Sequence, residues 1–242
     1  MYEKGRQTLT QLQKKYGWHD RDIERLQTMI DVSPLPIERQ PERPAYQAPF
    51  RWYMPGLTAE PFHDAKQFPF IQRLEEAYSA IKKEFDHLYE EGLIGPHREN
   101  AVNTAAGYWG EFNIYNFGKQ SSGSTLIPRT LDALRSLPGT EEMSLAYFSV
   151  LYPETRIKPH YAPFNMRLRI HLPLSIPSSC GMRVAGKNIT WQEGKCIVFD
   201  DSFLHHVWND SATIRVLLLA DFWHPDLTEI ERHVLVHILA LH

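Results

Sequence analysis

The chain has 242 residues, 43% of them apolar, and a formal net charge of −3. That is enough for one catalytic domain around a buried core, and it argues against general disorder and against a nucleic-acid partner. The first 18 residues, MYEKGRQTLTQLQKKYGW, carry charge without an apolar signal region, and the longest apolar runs, such as 216–220, are too short to cross a bilayer. A cytoplasmic protein with no membrane partner is therefore expected. Cys180 and Cys196 offer neither a disulfide framework nor the spacing of a metal finger.

Two polar helices are predicted over 2–16 and 20–30, where apolar residues (Leu9, Leu12, Tyr16; Ile23, Leu26, Ile30) recur every three or four positions. Residues 33–49 carry prolines at 34, 36, 41, 44 and 49 and read as an extended connector, because proline fixes φ and removes a donor. The domain boundary is placed here: residues 1–48 as a short helical extension with its connector, 49–242 as the catalytic domain. A third helix is predicted over 70–91 from the stripe Phe70, Leu74, Ala77, Ile81, Phe85, Leu88.

After Gly107 the period changes. Trp109, Phe112, Ile114, Tyr115 and Phe117 suggest a strand, and 128–137 a short helix with proline at its start. Candidate strands follow at 144–152, 167–174, 181–185, 188–192, 195–200, 204–208 and 214–222, and the strand-like pattern runs almost to the end. Many short strands at this spacing point to a mainly β chain, a barrel or sandwich with helices packed outside.

Iron that activates oxygen needs neutral imidazoles, sometimes a carboxylate, and open positions for other ligands. Of twelve histidines, His160 (in KPHYAPFN, at a turn after a strand) and His205 (in FDDSFLHHVWND, opening a strand) can converge across a barrel. Arg215 sits in the apolar run IRVLLLADFW, where a charge is costly unless paired. Arg167, Arg169 and His171 alternate along RLRIHL and share one strand face, read as the wall of an anion-binding cavity.

The segment PETRIKPHYAPFNMRLRIHLPLSIP, followed by CGMRVAGKNITWQEGKCIVFDDSFLHHVWND and RVLLLADFWHPDLT, closely resembles the aspartyl/asparaginyl β-hydroxylase family; so do PFRWYMPGL and GYWGEFNIYNFG. The resemblance covers roughly residues 50–232. It implies a double-stranded β-helix (jelly-roll, cupin-like) and an oxygenase using Fe(II), 2-oxoglutarate and O2. Such an enzyme hydroxylates an sp3 carbon, here the β-carbon of Asp, Asn or a related amino acid, free, peptidyl or carrier-bound, and releases succinate and CO2. His160 and His205 match the metal-binding histidines. Arg215 and Ser149 match the groups that hold the distal carboxylate of 2-oxoglutarate, and Trp109, Arg169 and His171 match others around it. Arg167 is the candidate substrate contact.

Two departures stand out. Ala162 occupies the place where most oxygenases of the wider superfamily put a carboxylate, so water or, as in halogenases, chloride is left to complete the metal shell. Thr104 stands where relatives acting on aspartyl residues have an arginine. The alternatives are thus a halogenase on the same scaffold and a non-enzymatic cupin-type binding module.

Overall fold

The computed structural model describes residues 1–240. Its helices are α1 (Tyr2–Tyr16), α2 (Asp20–Val32), α3 (Pro69–Glu76), α4 (Tyr78–Glu90), α5 (Asn100–Asn103), α6 (Pro128–Leu134) and α7 (Glu229–Leu239). The strands before the barrel core are β1 (Phe62–His63), β2 (Gly95–Pro96), β3 (Thr104–Ala106), β4 (Trp109–Asn116) and β5 (Lys119–Gln120). The core strands are β6 (Ala146–Leu151), β7 (Thr155–His160), β8 (Arg167–Ser175), β9 (Cys180–Val184), β10 (Lys187–Ile189), β11 (Ile197–Phe199), β12 (His205–Asn209) and β13 (Arg215–Trp223).

Two sheets face each other, in the orders β1-β11-β8-β13-β6-β4-β2 and β10-β9-β12-β7-β3, with β5 on β4. From β6 to β13 the chain passes back and forth between them, leaving β11-β8-β13-β6 against β10-β9-β12-β7. That winding is the double-stranded β-helix.

β13 is buried along its whole length because both its faces are covered. Val216, Leu218, Ala220 and Phe222 pack under α3, α4 and α6, while Leu217 and Leu219 point into the barrel. A separate cluster joins α1 and α2 to α7 through Leu9, Leu26, Met29, Val234 and Ile238, with Trp52 among them.

Four expectations change. The helix over 70–91 is interrupted at Ala77. His160 ends a strand, β7, instead of lying in a turn; Pro159 within TRIKPH disguises that strand. The strand-like pattern stops before 229: α7 is rich in Val and Ile, yet it is opened by a capping box in which Thr228 Oγ1 accepts from the Glu231 amide at 3.2 Å and Glu231 accepts from the Thr228 amide at 2.8 Å. The two histidines do not meet across the barrel; they are cross-strand partners on β7 and β12 of the smaller sheet.

Candidate active site

His160 and His205 lie opposite each other in the β7–β12 register, with ring centroids 4.1 Å apart. Each ring is oriented by its own backbone: His160 Nδ1 contacts the Lys158 carbonyl at 2.7 Å and His205 Nδ1 the Phe203 carbonyl at 2.8 Å. A carbonyl can only accept, so both Nδ1 atoms carry the proton and both Nε2 lone pairs are left for another partner. Burial holds both imidazoles below their ordinary pKa, His205 well below, so they are neutral near pH 7. His206 points the other way, half-buried beside Trp208, as strand alternation requires.

From this pair the barrel lumen runs inward past Tyr147, His171, Phe199 and Leu217 to Arg215. Arg215 opens β13, in the middle of the larger sheet, and is 1% exposed. Its Nη1 donates to Ser149 Oγ at 3.4 Å, its guanidinium lies 5.4 Å from the Trp191 ring, and its Nε has no partner among the described residues. No carboxylate among the described residues forms an ion pair with it. Burial pushes its pKa down to about 10. Ser149 Oγ also accepts from Trp109 Nε1 at 3.0 Å, so both its bonds from the protein are accepted ones and its O–H remains to be donated.

Arg167, Arg169 and His171 do share the inward face of β8, but the two arginines already have anions. Arg167 Nη1 lies 2.7 Å from Asp221 and Nη2 3.3 Å from Asp201; Arg169 Nε lies 2.7 Å from Asp221 and Nη1 3.0 Å from Asp201. Burial works against the charge of Arg169, and Asp201 and Asp221 outweigh it, raising its pKa well above the ordinary value. His171 Nδ1 accepts from Trp191 Nε1 at 3.3 Å.

Outward from the histidines, a cleft of about 550 Å³ opens between the segment around Phe50, α5 and the loop carrying Ala162. Ala162 is buried and its amide donates to the Asp201 carbonyl at 2.8 Å. Arg98 lines the cleft and donates to Asn116 Oδ1 at 2.7 Å, whereas Thr104 lies outside the lining and donates to Asn100. One inward residue had no signal in the sequence. His97 is buried and stacks on Trp109 with centroids 3.3 Å apart and planes 8° from parallel. Burial first, then the charge of Arg98, lowers its pKa to about 2. Nothing separates it from the other histidines until β2 pairs with β4 and sets it beside Trp109.

Among the described residues no three His, Cys, Asp or Glu side chains converge as a metal cage. Two neutral imidazoles with oriented Nε2 lone pairs fit an open metal site in which other ligands supply the remaining positions. The unpaired cation at depth fits a dianion reaching inward from it.

Comparison with known proteins agrees in kind. The sequence profile named Aspartyl/Asparaginyl beta-hydroxylase matches residues 75–225. An Aspartate beta-hydroxylase domain-containing protein 2 of Xenopus tropicalis is 35% identical over 82% of this chain and 56% of its own length. The human Aspartyl/asparaginyl beta-hydroxylase is 34% identical over 74% of this chain and 25% of its own length. The human Aspartate beta-hydroxylase domain-containing protein 1 is 32% identical over 94% and 60%. The matched region is thus a quarter to three-fifths of the length of these relatives. On these grounds the chain belongs to the aspartyl/asparaginyl β-hydroxylase family.

Proposed function

We propose that this chain is an iron(II)- and 2-oxoglutarate-dependent hydroxylase of an sp3 carbon. Its target is the β-carbon of an Asp or Asn residue or a related amino acid. The observation that carries this reading is Arg215, a fully buried cation without an anion among the described residues, in the same lumen as a neutral histidine pair. A buried unpaired charge costs several kcal/mol, so such a group is retained for a ligand.

His160 and His205 would hold the iron through Nε2, with their Nδ1–H bonds to backbone carbonyls fixing tautomer and ring plane. Arg215 would take the distal carboxylate of 2-oxoglutarate, helped by the free O–H of Ser149. Trp109 keeps Ser149 in place through its indole N–H, and His171, held neutral by burial, adds no charge to the lumen. When bound, iron with 2-oxoglutarate and oxygen supplies the oxidant that inserts one oxygen atom into a C–H bond, leaving succinate and CO2. Apolar walls such as Phe199, Leu217 and Leu219 exclude water from that space. Arg167 and Arg169 brace the loop of Asp201, which runs directly into His205, and so position the metal site through the backbone. Residues 1–48 would act as an extension of the catalytic domain.

The test is mass spectrometry of candidate amino acids, peptides and carrier-bound substrates with iron(II), 2-oxoglutarate and oxygen. The expected product gains one oxygen with an equal amount of succinate, indifferently to chloride. A chlorinated product, recognised by its isotope pair, would convert the reading to a halogenase. His160→Ala and His205→Ala should each lose both iron and turnover while remaining folded; retained iron in either would remove these residues from the metal site.

A further inference from the structure

Charged and apolar groups are distributed unevenly around the mouth of the cleft. Of the large apolar side chains that face solvent among the described residues, the two most exposed are Val102 at 69% and Phe50 at 64%, and both line this one cleft. Scattered surface apolar residues are ordinary, but two at the entrance to a site mark a contact surface.

Neither hangs on a loose loop. Around Phe50, the Ala48 amide donates to the Ser202 carbonyl at 3.1 Å, and the amides of Arg51 and Trp52 donate to the Pro163 carbonyl at 2.9 and 3.0 Å. On the other wall, Lys158 Nζ donates to the Val102 carbonyl at 2.8 Å, and the Val102 amide to that of Glu99 at 3.1 Å. Lys158 is on β7 two residues before His160, and Pro163 three residues after it. The segment carrying the metal-site histidine therefore also holds the backbone on either side of Phe50 and at Val102. A preordered contact loses little conformational entropy on binding.

We infer that Phe50 and Val102 are specificity contacts for a polypeptide substrate in which apolar side chains flank the oxidised residue. This rests on the hydroxylase reading above. A free amino acid would use a small part of a 550 Å³ cleft and leave the rim bare. A fatty acyl chain would need a continuous apolar trough, yet Arg98, Glu99 and Asn103 lie among the lining groups and interrupt it. Apolar side chains at the rim with Arg98, Glu99 and Asn103 beside them match side chains of a peptide whose backbone bonds to those polar groups. The lining carries Arg51, Arg98, Arg167 and Arg169 against Glu99 and Asp201, an excess of positive charge that favours a neutral or acidic sequence.

The experiment is anaerobic isothermal titration of the iron(II)- and 2-oxoglutarate-loaded protein. Its probes are blocked pentapeptides with a central Asp or Asn flanked by Leu or by Ser, free aspartate and asparagine, and N-dodecanoyl-aspartate. The Leu-flanked peptide should bind about tenfold tighter than the Ser-flanked one. In the double variant Phe50→Ser, Val102→Ser that preference should shrink to about twofold, while Val102→Ile should keep it. Equal affinity for the two peptides, a preference for the free amino acid or the dodecanoyl probe, or a preference that survives in the double variant would each overturn the inference. Titration of 2-oxoglutarate alone separates the two levels. Normal cosubstrate binding with no peptide binding overturns only the substrate class; absent cosubstrate binding overturns the hydroxylase reading and this inference with it.

Discussion

Arg167 and Arg169 on β8 and Arg215 on the neighbouring β13 enter the barrel from one sheet, yet their surroundings are opposite. The first two face Asp201 and Asp221, two charges of each sign, with contacts of 2.7 to 3.3 Å. Arg215 meets one hydroxyl and one aromatic face. The charges of the first group balance, although Arg167 Nε and Asp201 Oδ1 make no hydrogen bond among the described residues, so the network is closed in charge and not in every hydrogen bond. An open cation costs stability in the empty protein and returns that cost when an anion arrives. One pole of this barrel is charge-matched by folding alone; on the function proposed above, the other is completed by the carboxylate of 2-oxoglutarate.

The largest effect expected from breaking the comparison is on the closed side. Asp221→Asn removes one of the two anions and leaves two buried guanidiniums facing Asp201 alone. Losing one partner of a buried pair costs about 3–5 kcal/mol. A urea denaturation series should show the midpoint falling sharply. A midpoint within experimental error of the native protein would mean the network contributes nothing to holding β8, β13 and the Asp201 loop together.

On the open side, Arg215→Met should act in the reverse sense. Affinity for 2-oxoglutarate should fall by about 2–5 kcal/mol, roughly 30- to several-thousand-fold. The empty protein should be no less stable, because a desolvated charge has gone. Titration calorimetry and thermal unfolding read the two quantities separately. An unchanged 2-oxoglutarate affinity would remove Arg215 from the cosubstrate site.

The same asymmetry should appear without mutation. 2-Oxoglutarate at about one hundred times its dissociation constant should stabilise the native protein by about 2.7 kcal/mol, and Arg215→Met at the same concentration by far less. Equal shifts in the melting temperature of the two proteins would place the cosubstrate elsewhere.

This difference was only half legible in the sequence. The run RLRIHL showed that Arg167, Arg169 and His171 share a face, and alternation alone establishes that. What lies opposite the face depends on Asp201, 34 residues after Arg167, and Asp221, which β13 brings beside β8 in register with Arg169. The three residues do line the cleft and lumen as read, but no local pattern encodes the carboxylates that already answer the two arginines. Arg215 was legible as a costly charge in an apolar strand, but its depth comes from β13 lying in the centre of a sheet. The core strands announced themselves through period and turn residues. β7 and α7 did not, since a proline masked one and β-branched residues the other. His160 and His205 could be chosen among twelve histidines only through the motifs around them; their direct pairing needed the β7–β12 register. His97 and the exposed Phe50 and Val102 become functional candidates only once the cleft exists.

The smallest effect concerns pH and isolates the open charge. Arg215 has a folded-state pKa of about 10, below its ordinary 12.5, because burial disfavours the cation. Between those values the unfolded chain binds the proton more readily than the native one, so this group's contribution to unfolding free energy rises with pH across that window. Below about pH 10 its burial penalty is fully present, on the order of a few kcal/mol. As pH passes 10 the native protein sheds the proton and the penalty lessens. The stability advantage expected of Arg215→Met over the native protein should therefore be greatest at neutral pH and narrow as pH approaches 11. Arg215 also lowers the pKa of the Cys180 thiol, so both proteins are compared in a Cys180→Ser background; the difference between their urea curves at pH 7 and pH 10.5 then reports Arg215. Saturating 2-oxoglutarate should abolish the narrowing, because a bound carboxylate pulls the guanidinium pKa back up. A gap that stays constant with pH in the empty protein would mean that Arg215 is already answered by something inside the barrel, and the contrast with Arg167 and Arg169 would fail.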